Sequence, residues 1–245
     1  SMVLREELSE GIVAITLNRP ESLNALSPVL FSELNQIVTE LSKQTDSVGC
    51  VILRGAGRCF SAGNDLKAVR SGVKAKEKFF QAKTIDLIEK LPQPTIASVH
   101  GHCLTGALEL ALACDLMITS ESANLADTHG KWGMVPGWGM SVRLPRRVGL
   151  LKAKEMMFTG MSINGLQAVE IGLSSQCVAD DHLKVSTLDL AESIVKNSWH
   201  TNFADKKLFL DNENHFHDAS LKMEREQSAS VASDMHERVK QGFKS

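Results

Sequence analysis

The chain has 245 residues, 43% of them hydrophobic and 23% charged, and carries a formal net charge of −2. That length allows one large core, or a core with a smaller appendage, and a charge so close to zero excludes the basic footprint of a nucleic-acid binder. No window approaches the roughly 18 apolar residues that span a bilayer, so no membrane partner is expected. No N-terminal segment has the form of a signal peptide, which points to the cytoplasm, although a processed mitochondrial or peroxisomal protein would read the same.

In chain order, "IVAITLN" (12–18) is a β-branched run predicted as a strand and stopped by Arg19-Pro20. "VLFSELNQIVTELSKQ" (29–44) repeats apolar residues at Leu30, Leu34, Ile37, Val38 and Leu41, the period of a helix. "CVILRG" (50–55) is a short apolar strand of the buried kind. "GRCFSAGNDLKAV" then brings the Gly and Asn of a tight loop running into a helix. An amphipathic helix is predicted over 76–91, closed by Pro92 and Pro94, followed by a third buried strand, "TIASVHG" (95–101). "LMITSES" reads as a further strand, residues 130–139 as a glycine-rich loop, and the remainder as mostly helical. Alternating strands and helices on short loops argue for one α/β unit, with a more polar helical appendage from about Ser186. Cys50, Cys59, Cys103, Cys114 and Cys177 are odd in number, scattered and free of C-x-x-C spacing. They read as reduced core thiols, and no metal site is expected. The chain contains no tyrosine, so phenol chemistry is excluded.

"CLTGALELALACD" (103–115) raises a chemical question, because Glu109 stands alone in an apolar run. A bare buried carboxylate costs several kcal/mol, so it must be paired, hydrogen-bonded or neutral. A random glutamate faces solvent about four times in five, but the five residues on either side of Glu109 hold no Lys, Arg, Asp, Asn or Gln, so a buried helix is expected. Arg143 or Arg146 could pair with it. Two loops that contain Gly, Ser61-Ala62-Gly63-Asn64 and Leu104-Thr105-Gly106, each follow a buried strand and feed a helix, and each is therefore either a tight turn or an anion-binding helix start. Gly106 and Glu109, three residues apart, share one helical face, so an N–H donor and an acid would meet the same ligand.

At these residues a family resemblance becomes clear. "CFSAGNDLKAV" (59–69), "VHGHCLTGALELALACD" (99–115), "GKWGMVPGWG" (130–139) with "RLPRRVG" (143–149), and "KAKEMMFTG" (152–160) follow one another as in the crotonase superfamily, the enoyl-CoA hydratase/isomerase family. The likeness runs from "LNRPESLNALS" (17–27) to the C-terminal helices. It implies a crotonase-like spiral of ββα turns over residues 1–190 and a C-terminal helical oligomerisation region over 191–245, assembled as a homotrimer or a dimer of trimers. It implies an acyl-CoA thioester as substrate and partner, with no separate cofactor.

The resemblance also implies roles. The backbone N–H groups of Asn64 and Gly106 match the oxyanion hole, and Ala62, Asn64, Asp65, Leu66 and Lys67 match the coenzyme A loop, although Lys67 could equally be a solvated lysine. Glu109 matches the first catalytic glutamate. Where the family's second glutamate stands in a Pro-Glu pair, this chain has Thr128-His129. An imidazole, with a pKa of about 6.5, can exchange protons near neutrality in place of that carboxylate; a solvent-facing loop histidine has about two chances in five. Asp127, two residues out of register, is a weaker stand-in. Trp132 and Trp138 are expected as acyl-pocket walls or packing. Residues 234–243 match the last helix, which in the family helps cover a neighbour's coenzyme A, with Lys244 the remnant of a basic tail. The expected chemistry is hydration or dehydration of an enoyl thioester by Glu109 with His129. The alternatives are isomerisation, decarboxylation of a malonyl-type thioester, thioester hydrolysis, or a scaffold that binds coenzyme A after losing catalysis.

Overall fold

The computed structural model describes residues 1–71, 77–227 and 235–241. The chain opens with an antiparallel pair, β1 (Val3–Ser9) and β2 (Gly11–Leu17). β2 is buried at every position, whereas β1 exposes most of its charged residues and blunts the sheet edge. α1 (Pro28–Leu41) starts where the Ser27 hydroxyl accepts from Leu30 N and Pro28 fills the first turn. It ends at Leu41, earlier than the periodicity predicts, and buries Leu30, Phe31, Leu34, Val38 and Leu41.

There follow β3 (Val48–Gly55), α2 (Leu66–Ser71), α3 (Phe80–Glu89), β4 (Thr95–Val99), β5 (His102–Leu104), α4 (Gly106–Leu112), β6 (Leu116–Ser120) and β7 (Asn124–Ala126). α3 occupies the inner part of the helix predicted over 76–91; Lys76 lies outside the described residues. The chain continues through α5 (His129–Trp132), α6 (Met140–Val148), α7 (Leu150–Thr159), α8 (Gly165–Glu170), β8 (Gln176–Val178), α9 (Leu183–Val195), α10 (Trp199–Gln227) and α11 (Met235–Gln241).

The main sheet runs β1-β2-β3-β4-β6-β8, parallel throughout except for β1. β5 and β7 pair in a second layer, extended by single bridges between Ser61 and Cys103, Leu26 and Asn64, and Leu125 and Ile163. Each turn therefore lays a long strand in the main sheet, a short one in the second layer, and then a helix, as in β4–β5–α4 and β6–β7–α5. This is the expected spiral of ββα turns.

The main sheet is covered on both faces, which is why its central strands read as unbroken apolar runs. Val13, Ile15, Val51, Leu53 and Ala97 pack with α1, α3 and α4 on one side. Ile12, Ala14, Ile52, Ile96 and Ile118 pack against Leu183 and Ala191 of α9 on the other. The boundary expected between residues 190 and 191 falls inside α9, whose Leu183 and Ala191 both pack on the sheet. The Cys50 and Cys114 thiols sit in this interior, where burial pushes both up to about 12. α11 packs against α5 of its own chain; Asp234, Gly242, Phe243 and Lys244 lie outside the described residues.

Candidate active site

Two strand-to-helix loops meet where Ser61 bridges Cys103. Gly63 has φ +97°, and a Cβ there would stand 2.5 Å from the Leu104 carbonyl oxygen, so glycine is what lets the loops touch. Among the described residues, the N–H groups of Asn64 and Gly106 have no protein acceptor. Both residues line the same cleft. The residue before Gly106 is Thr105 at φ 55°, ψ −110°, a conformation that costs a β-branched residue about 1–3 kcal/mol. Three hydrogen bonds hold it there: Thr105 N to Ala126 O at 2.8 Å, Thr128 N to Thr105 Oγ1 at 2.9 Å, and the two threonine hydroxyls at 2.5 Å. The threonine pair thus ties the Gly106 loop to the segment that carries His129.

α4 is buried along its whole length, and Glu109 is 1% exposed. Its Oε1 accepts from Trp138 N at 2.9 Å and Met140 N at 3.1 Å, and its Oε2 lies 3.8 Å from His129 Nε2. Arg143, one expected partner, instead binds Asp86 and Glu89. His129 opens α5 with its side chain buried. Its Nδ1 is 2.5 Å from Asp127 Oδ1, which also accepts from the His129 main-chain N–H at 3.2 Å. A carboxylate accepts only, so Nδ1 carries the proton and Nε2 faces Glu109.

The cleft has a volume of about 560 Å³, within the range of small-molecule sites. Ala62, Asn64, Leu66, Gly106, Glu109, His129, Trp132 and Trp138 all line it, with Phe79, Met134 and Val135 adding apolar surface. Trp138 lies over Gly106, where an added Cβ would come within 2.5 Å of its Cζ3, and packs edge-to-face on Phe31 at 5.1 Å.

Asp65 and Lys67 do not line the cleft. Asp65 Oδ1 caps α2 by accepting from Lys67 N and Ala68 N, both at 3.1 Å, while Oδ2 pairs with Arg19 at 3.0 Å. Burial pushes this carboxyl up, but the two amides and the guanidinium outweigh it and hold it below the usual carboxylate range. Lys67 is exposed. No cluster of three or more His, Cys, Asp or Glu suited to a metal, and no helix long and apolar enough to cross a membrane, is found among the described residues. In sequence Asp127 reads only as a substitute acid, and nothing marks the Thr105–Thr128 pair or the Trp138 and Met140 amides. Of these only the D-x-H spacing of Asp127 and His129 left a signal.

Comparison with known proteins agrees with this geometry. The family model described as "Enoyl-CoA hydratase/isomerase" matches residues 7–245. A "Probable enoyl-CoA hydratase 1, peroxisomal" of Arabidopsis thaliana is 35% identical over 189 residues, covering 77% of this chain and 71% of that protein. The "Short-chain-enoyl-CoA hydratase" of Clostridium acetobutylicum is 34% identical over 194 residues, covering 77% and 74%. Among solved structures, an enoyl-CoA hydratase/isomerase from Xanthobacter autotrophicus Py2 superposes with a TM-score of 0.90 at 32% identity, covering 98% of this chain and 92% of that one. A spiral of ββα turns, two open amides beside a buried glutamate, and a match along nearly the whole chain lead to one conclusion: the protein belongs to the enoyl-CoA hydratase/isomerase family.

Proposed function

We propose that the protein adds water reversibly across the α,β double bond of an enoyl-CoA thioester. The reading is carried by one observation: a single cleft holds two amides, Asn64 and Gly106, that have no acceptor among the described residues, and a Glu109–His129 pair separated by 3.8 Å. That separation is too long for a direct hydrogen bond and suits a water bonded to both side chains. The amides receive the thioester oxygen as it gains charge, each contributing about 3–4 kcal/mol to the transition state.

Glu109 Oε2 takes a proton from the water as its oxygen bonds Cβ, and the electron pair of the double bond moves toward the thioester oxygen as an enolate. His129, as imidazolium, returns a proton to Cα while Asp127 stabilises its charge. The carboxylate and the imidazole then exchange protons to reset the pair. Trp132, Trp138, Met134 and Val135 supply apolar wall to the acyl chain, and Ala62 and Leu66, which line the same cleft, meet coenzyme A. Asp65 and Lys67 contribute from outside the cleft, Asp65 by shaping the loop through α2. No cofactor enters these steps.

The presence of one carboxylate at the reacting centre, where the family's hydratases have two, supports a second reading, a 1,3-proton shift by Glu109 alone. Incubation of trans-2- and trans-3-enoyl-CoA in H₂¹⁸O separates the two: hydration incorporates the label, isomerisation interconverts the substrates without it. Tight binding of both thioesters with no turnover would overturn both readings and favour a coenzyme A-binding scaffold. We further propose that the chain assembles as a homotrimer or a dimer of trimers, a reading supported by Leu150, Leu151 and Phe158, which α7 leaves exposed for a neighbouring copy.

A further inference from the structure

The two amides that bind Glu109 Oε1 belong to one turn, Trp138 to Met140, and that turn is gripped from its other side. Arg143, only 3% exposed, donates from Nη1 to the Trp138 carbonyl oxygen at 2.8 Å. Its remaining donors reach two carboxylates of α3: Nη2 lies 2.8 Å from Asp86 Oδ1 and 2.8 Å from Glu89 Oε2, and Nε lies 2.9 Å from Glu89 Oε1. Arg225 of α10 pairs with Asp86 as well, so a second cation joins this cluster. Gly139, at φ +115°, places no side chain between the turn and the guanidinium.

We infer that Arg143 is a positioning residue for Glu109: its fork anchors the Trp138 carbonyl to α3 and thereby aims the Trp138 and Met140 N–H groups at the carboxylate. An ion pair that merely fastened α6 to α3 would need the two acids alone. The bond to a main-chain carbonyl of the glutamate-binding turn links the cluster to the site. A guanidinium can span both partners because its donors are fixed in a plane, whereas an ammonium on a flexible stem cannot. The inference rests on Glu109 acting as the acid/base.

Arg143→Lys in the full chain tests it by two readouts. Hydrogen exchange at the Trp138 and Met140 amides reports the turn directly, and steady-state hydration of crotonyl-CoA reports its consequence. We expect faster exchange at those two amides with the sheet unchanged. kcat falls about 10- to 100-fold and KM stays within about twofold. In a Glu109→Gln background, Arg143→Lys then has no further effect on kcat, because both changes remove the same contribution. Parent-like exchange at 138 and 140 overturns the inference whatever the activity does, and so does an equal loss of kcat in both backgrounds. If Glu109→Gln is fully active, the hydration reading fails while the exchange result still decides the role of Arg143. Should Arg143→Lys fail to fold, Glu89→Gln keeps the arginine, weakens its anchorage, and is judged by the same two measurements.

Discussion

Glu109→Gln separates the chemistry of the site from its architecture. The glutamine carbonyl oxygen can take the place of Oε1 and accept both N–H groups, now at 2.9 and 3.1 Å, while its amide nitrogen takes the place of Oε2, 3.8 Å from His129. Shape and hydrogen bonds are preserved and the exchangeable carboxyl proton is lost. Removing a general acid/base typically costs about 10²- to 10⁴-fold, equivalent to about 2.7–5.5 kcal/mol of barrier, so kcat falls by that factor while the urea midpoint stays near the parent's. Glu109→Ala should lose the same catalysis and also stability, because Trp138 N and Met140 N lose their acceptor at about 1–3 kcal/mol for each amide left bare. The lower end applies where cleft water can reach them. Turnover is followed by the loss of conjugated enoyl-thioester absorbance, and stability by urea unfolding. A Gln variant with parent-like kcat/KM would show that Glu109 moves no proton. A Gln variant as unstable as the Ala variant would refute the Oε1 contacts.

Asp127→Asn can present an amide N–H to His129 Nδ1, favouring the tautomer with its proton on Nε2; kcat should drop about 10²- to 10⁴-fold with KM little changed, and an undiminished kcat would leave His129 without a proton to move. Gly106→Ala drives a methyl against Trp138, whose ring is already edge-packed on Phe31. Overpacking of about 1–3 kcal/mol should lower Tm, and displacement of the amide should lower kcat by about 10²–10³; retention of both would show that the ring yields freely. Asp65 has a folded pKa below its unfolded value, so its stabilisation is complete above the ordinary carboxylate pKa of about 3.9 and is lost as pH falls through the folded value. Urea midpoints of Asp65→Asn and parent should therefore differ at pH 7 and converge in acid; a gap independent of pH would mean that Arg19 and the α2 amides do not favour the charged form.

Much of the fold is legible locally because burial writes its period into adjacent residues. The stripe Leu30, Leu34, Val38, Leu41 announces α1, and the apolar runs of β2, β3 and β4 announce strands covered on both faces. β1 gives no such signal, because Arg5, Glu6 and Glu7 interrupt its apolar pattern, as suits an edge strand. β5 and β7 are three residues each, too short to show any period.

The same division runs through the site. Gly63 and Gly106 stand out in sequence because a loop that turns into a helix beside another loop leaves no room for a side chain. Glu109 stands out because an acid inside an apolar run requires partners. Who those partners are is not a local matter. The β5–β7 pairing sets Leu104 beside Ala126, and only then do Thr105 and Thr128 bond and His129 come within reach of Glu109. The amides that grip Oε1 come from a turn about thirty residues downstream, a turn that Arg143 fastens to α3. Composition and spacing could nominate an imidazole for the place of a missing carboxylate. Its burial, its Asp127 partner and its distance from Glu109 are long-range consequences of chain packing, which no pattern of neighbouring residues encodes.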